Sequence, residues 1–219
     1  MVKIEIEQAL KSICPDLRLG VIQCRVKTNE DCPELWKEID ESIQKLESDL
    51  TIEKIREMPA IESSKNGYRA IGKDPNRYRL SAEALLRRIV NNKGLYKINN
   101  VVDLLNMVSI QSGFSIGGYN VDKIEGNIVF GIGELNEPYQ GIGRGDLNIE
   151  KLPVFRDDKG AFGSPTSDSL RTQIDGNCTH FLMVIISFQG EKELVSAINH
   201  AQELLQKYAK TEEFEISIL

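Results

Sequence analysis

The residues with the types and spacing to do chemistry lie between Arg77 and Asp122, with one later loop, Ala161 to Arg171, rich in small polar residues. Side chains recur every three or four residues on a helix face, so Asn99, Asp103 and Asn106 share a side roughly opposite Leu104, Leu105 and Val108. Two amides and an acid on one face suit the lining of a binding pocket. Arg77, Arg79, Arg87, Arg88, Lys93 and Lys97 precede them, a set of cations suited to a polyanion. Gly117-Gly118 is expected to end the unit.

Two short amphipathic helices must position these groups. In the first, Ser81 reads as the capping residue, Leu85, Leu86, Ile89 and Val90 as the apolar stripe, and Gly94 as the left-handed stop. The second starts at Asn99 or Asn100, buries Val101, Leu104, Leu105 and Val108, and stops at Gly113. Elsewhere, residues 17–26 read as a strand, and Pro33 opens a long helix on which Trp36 packs. Residues 63–76 read as a loop, because glycine and proline punctuate them. Strands are expected at 126–132 and 152–156, with a hairpin turn at 157–160. Residues 180–188 are almost continuously apolar, as in a central strand buried on both faces. A helix over 191–210 and a strand at the end complete an α+β pattern.

Composition narrows the function. With 219 residues, 41% hydrophobic and 27% charged, the chain has ordinary globular composition. No run approaches the roughly 20 apolar residues of a membrane span, and MVKIEIEQALKS lacks a signal block, so a cytoplasmic location without a membrane partner is expected. Cys14, Cys24, Cys32 and Cys178 form no Cys-x-x-Cys pair, and His180 and His200 lie near none of the first three, so buried thiols are expected and no metal or cofactor. The net charge of −6 hides a segregation: residues 65–97 hold nine basic residues against two acids, a local +7, while residues 30–62 hold eleven acids against four basic residues. A local positive segment can hold a polyanion, since phosphate contacts act over about 10 Å. The alternative is that these charges are solvated faces paired with the acidic segment. Gly141-x-Gly143-x-Gly145 follows no clear strand and opens no helix, so it is set aside as a phosphate loop.

The segment KINNVVDLLN (97–106), then GGYNVDKI (117–124), the strand at 126–132, FRDDKG (155–160), and the loop leading into 181–187 resemble the B3/B4 domain of the phenylalanyl-tRNA synthetase β subunit. The resemblance covers roughly residues 77–190. It implies a mixed, largely antiparallel, barrel-like sheet with helices around it. A single domain over 1–219 is expected, with an N-terminal α/β extension (1–76), the recognisable core (77–190), and a C-terminal helix and strand (191–219). It further implies a tRNA or aminoacyl-tRNA partner and, in the synthetase, hydrolysis of tyrosine wrongly esterified to the phenylalanine tRNA.

An aminoacyl ester is already activated, so such a site mainly positions a water, accepts the amino-acid side chain and stabilises the oxyanion. Gly117 and Gly118, followed by Tyr119, would let backbone approach the terminal adenosine or the ester. Asn99, Asp103 and Asn106 would either brace the helix start or bind substrate. Ser164, Thr166, Ser167, Asp168, Arg171 and Thr172 would form the other wall, with the Arg171 fork suited to a phosphate or carboxylate. Gly117 stands where the bacterial synthetase commonly has a histidine, which leaves water activation to the substrate 2′-hydroxyl, to Asp168, or to nothing. Three readings follow: a trans-editing deacylase, an RNA-binding module without chemistry, and a small-molecule or free amino-acid binder.

Overall fold

The computed structural model describes residues 2–211 and 213–219. Its framework is an antiparallel sheet of four strands in the order β10-β2-β9-β3, formed by β2 (Arg18–Arg25), β3 (Ser115–Asn120), β9 (His180–Ser187) and β10 (Phe214–Ile218). The apolar run at β9 sits between β2 and β3 and alternates between two cores. Phe181, Met183 and Ile185 meet the helices, while Leu182, Val184 and Ile186 meet the second sheet. That two-sided burial is why the strand carries no polar alternation.

The second sheet runs β1-β4-β7-β8, from β1 (Ile4–Ile6), β4 (Ile128–Ile132), β7 (Pro153–Asp157) and β8 (Gly160–Gly163). Only its β1–β4 pair is parallel. The architecture is thus α+β with a largely antiparallel, mixed set of strands, arranged as two sheets rather than a closed barrel. Tyr119, Phe130, Phe155 and Phe162 fill the space between the sheets, and Phe130 and Phe155 stack at 4.2 Å.

The helices are α1 (Gln8–Ile13), α2 (Pro33–Asp49), α3 (Ile52–Glu57), α4 (Pro59–Ile71), α5 (Ser81–Val90), α6 (Asn100–Ser112) and α7 (Lys192–Ala209). The other core joins α2, α5, α6 and α7 to the first sheet. Asn100 fastens α6 to its surroundings. Its side chain donates to the carbonyls of Lys27 (2.9 Å) and Tyr208 (2.8 Å) and accepts from the Asn29 amide (2.7 Å). β5 (Gln140–Gly141) and β6 (Gly145–Asp146) make a two-stranded hairpin of the glycine-rich segment.

Four expectations are corrected. Residues 63–71 belong to α4, which ends at Gly72 with φ 88°, and the Tyr68 ring on it is fully buried. Gly117 and Gly118 lie within β3 instead of forming a bend, because the strand pairs continuously with β9 from Ser115 to Asn120. Helix α5 has no side-chain cap, its Ser81 amide donating instead to the Pro165 carbonyl at 2.8 Å. It ends at Val90 rather than at Gly94, and the Arg88 guanidinium folds back onto the carbonyls of Lys93 and Gly94, both at 3.1 Å. Among the described residues no helix is long and apolar enough to cross a membrane.

Candidate functional site

Helix α6 turns the side chains of Val102, Leu105, Asn106 and Ser109 to one stripe, and this stripe floors a cleft of about 500 Å³. Helix α5 contributes Ser81, Ala84, Leu85 and Arg88, β3 contributes Ile116 and Gly118, and Thr166, Ser167 and Asp168 close it from the later loop. Around the cleft, Tyr96, Ile98 and Ile142 are 62%, 50% and 44% exposed. Arg88 lies 3.9 Å over the Tyr96 ring. Arg144 also lines the cleft; it is exposed, and only its backbone amide is bonded among the described residues. A larger groove of about 720 Å³ runs beside Arg171 and Lys159, but a few polar groups set among apolar side chains converge at the smaller cleft, as ligand pockets require.

Asp168 is the only acidic side chain lining this cleft among the described residues. Its Oδ1 accepts the Tyr119 hydroxyl at 2.8 Å. Burial pushes its carboxyl up to about 7, against the Tyr119 hydroxyl and the amides of Gly118 and Ser164, which favour the ionised form. The loop around it is held from behind by three buried phenols. Tyr68 shares a hydrogen bond with Thr166 Oγ1 at 2.9 Å, Tyr119 holds Asp168, and Tyr139 donates to the Ser167 carbonyl at 2.5 Å. Ser164 closes the turn, donating to the Ser167 carbonyl and accepting from the amides of Thr166 and Ser167.

The cleft thus gathers Asn106, Gly118, Thr166, Ser167 and Asp168 from the expected lining, and Arg88 from the expected cations. The remaining expected residues do other work. Asn99 caps α6, accepting from the Val102 amide at 3.0 Å. Asp103 accepts from Trp36 Nε1 at 2.7 Å and from the Ile98 amide at 3.0 Å, so α2 covers the turn of α6 that precedes the cleft. Gly117 faces the inter-sheet core, and Tyr119 is fully buried there. Ser164 is a buried turn residue, and Thr172 is buried with a hydroxyl that finds no partner among the described residues.

Arg171 is occupied too, its fork taken by Asp157 at 2.8 and 2.9 Å. Burial works to raise the Asp157 carboxyl, but Arg171 and the amides of Glu125 and Lys159 outweigh it and hold it below the usual range. Of the expected RNA contacts, Arg87 is engaged by Glu83 at 2.9 Å and Lys97 lies 4.7 Å over Trp36. Arg77, Arg79 and Lys93 are exposed. Sequence reasoning missed Ser81, Ser109, Gln173 and Arg144. Ser109 had a signal, standing three residues after Asn106. Arg144 had none, since it reaches the cleft through the docking of the hairpin on the later loop, where the Ile142 amide donates to the Asp168 carbonyl at 2.9 Å and Gly141 pairs with Ser169.

No curated protein sequence matches this chain. Among solved structures, it is similar to an N-terminal fragment of the phenylalanyl-tRNA synthetase β-subunit from Pyrococcus horikoshii, with a TM-score of 0.51 and 13% identity. That match covers 98% of this chain and 50% of the other, so the chain spans about half the length of the structure it resembles. At that identity the likeness is one of fold. The model of the B3/4 domain matches residues 64–210, and the chain therefore belongs to the B3/4 domain family.

Proposed function

We propose that the cleft receives the aminoacylated 3′ end of a tRNA and that the protein hydrolyses a misattached amino acid in trans. The observation that carries this reading is the cleft itself, in which one carboxylate and several hydroxyls and amides stand among apolar side chains, with arginines at its sides. In this reading Leu105, Ile116 and Ile174 take the amino-acid side chain and Arg144 meets the phosphates, while Arg88 stays folded onto the Lys93 and Gly94 carbonyls and the Tyr96 hydroxyl. Asp168 accepts a proton from a water that attacks the ester carbonyl. The carbon–oxygen bond to the ribose breaks, the ribose oxygen takes the proton, and free amino acid and tRNA leave.

The test is a panel of tRNAs mischarged with different amino acids, followed for deacylation with and without the protein. Faster loss of one or more amino acids supports the reading, and rates equal to buffer across the panel remove its catalytic part. A second reading, capture of the tRNA end without chemistry, is favoured by the absence of histidine and cysteine from the described lining of the cleft. It predicts salt-sensitive tRNA binding with no deacylation. Free amino acids that raise the melting temperature while tRNA binds nowhere would point instead to a small-molecule site.

A further inference from the structure

Gly117 on β3 and Gly163 on β8 face each other across the inter-sheet core, and between them runs the phenol of Tyr119. A Cβ on either glycine would overlap the Tyr119 hydroxyl. The ring is fixed by edge contacts with Phe155 at 5.9 Å and Phe162 at 4.9 Å, and it is fully buried. From there the hydroxyl reaches Asp168, which lines the cleft that Gly118, one residue earlier on the same strand, also lines. A side chain buried in one core thus contacts the site formed over the other.

We propose that Tyr119 is a positioning residue: its hydroxyl, reaching Asp168 through a slot kept open by Gly117 and Gly163, fixes how the carboxylate faces whatever occupies the cleft. The inference rests on the same cleft as the proposed deacylation but extends it to a group that touches no ligand. It also gives Gly117 a physical reason, since any larger residue at that position would displace the phenol.

The charged and titratable groups around Asp168 are Tyr68 and Tyr139 behind the loop, Tyr119 beneath it, and Arg88 and Arg144 along the cleft, while Arg171 is taken up by Asp157. Burial raises all three phenols, so they remain protonated, and Tyr119 and Tyr139 donate. Asp168, pushed up to about 7, is the group that titrates near neutrality. A donated hydrogen bond favours the ionised form, and its loss drives the carboxyl further up.

The test is Y119F, which deletes one oxygen and keeps the ring packing, with a thermal melt to check folding. Titration of the Asp168 side-chain carbon by NMR, assigned with D168N, reads the carboxyl without any ligand. The inference expects the midpoint in Y119F to rise by about one pH unit. For any mischarged tRNA that is hydrolysed, the acid limb of the rate profile moves with it, a loss of about fivefold at pH 7. An unchanged midpoint in folded Y119F overturns the inference. If no tRNA is deacylated, the titration still decides the role of Tyr119, so the two failures are separable.

Discussion

A carboxyl pushed from 3.8 up to about 7 by burial binds its proton more tightly in the folded chain than in the unfolded one. Asp168 therefore adds stability that is fully present below about pH 4 and is lost as pH rises through about 7. Each pH unit of that window is worth about 1.4 kcal/mol at most. D168N, neutral throughout, should show little of this loss, so its melting temperature should gain on wild type between pH 4 and 8. Parallel melting curves across that range would show that the carboxyl titrates normally. Asp168 was legible as a pocket residue because it stands in a loop of small polar residues. Asp103 was legible as polar but not as buttressing, since its partner Trp36 comes from another helix and only the packing of α2 on α6 joins them. Tyr119 could be read as near the site, while its approach from the opposite core depends on two glycines on different sheets.

Among the elements, α2, α6 and α7 follow directly from apolar period, α2 and α6 also from Pro33, Asn99 and Gly113 at their ends, and β9 follows from its nearly unbroken apolar run. Helix α4 did not, because glycine and polar residues break its stripe, and its reason to be helical lies in what it packs against. Lys65 on α4 is 7% exposed and pairs with Glu83 on α5, itself 2% exposed, at 2.7 Å. Arg87, less buried, joins the same carboxylate from one turn later. Removing one member of a buried pair leaves an uncompensated charge, at a cost of about 3–5 kcal/mol. E83A should therefore destabilise by about that amount by stranding Lys65, whereas R87A, which leaves the Lys65–Glu83 pair intact, should cost about 1 kcal/mol or less. Equal losses in urea unfolding would mean that the pair does not hold α4 to α5. Since α5 carries Ser81 and Arg88 to the cleft, the same pair also sets one wall of the site.

At the scale of the whole molecule, the positive segment of the sequence divides into charges used inside and charges left outside. Lys65 and Arg87 are spent on Glu83, and Lys73 is buried against the carbonyls of Asn148 (3.3 Å) and Glu150 (2.5 Å). Counting residues along the chain could not reveal that division, because it is decided by which helix face meets a neighbour. What remains at the cleft is Arg144, from the glycine-rich segment set aside as a phosphate loop, beside an Arg88 already held by Tyr96 and the carbonyls of Lys93 and Gly94. If a tRNA end enters there, its phosphates displace counterions and affinity falls steeply with salt. R144E should then weaken tRNA binding and lower the slope of log affinity against log salt by about one, with the melting temperature unchanged. R87E should instead lower the melting temperature, because the new acid faces Glu83. Binding by R144E equal to wild type at every salt concentration would place the nucleic acid, if any, away from this cleft.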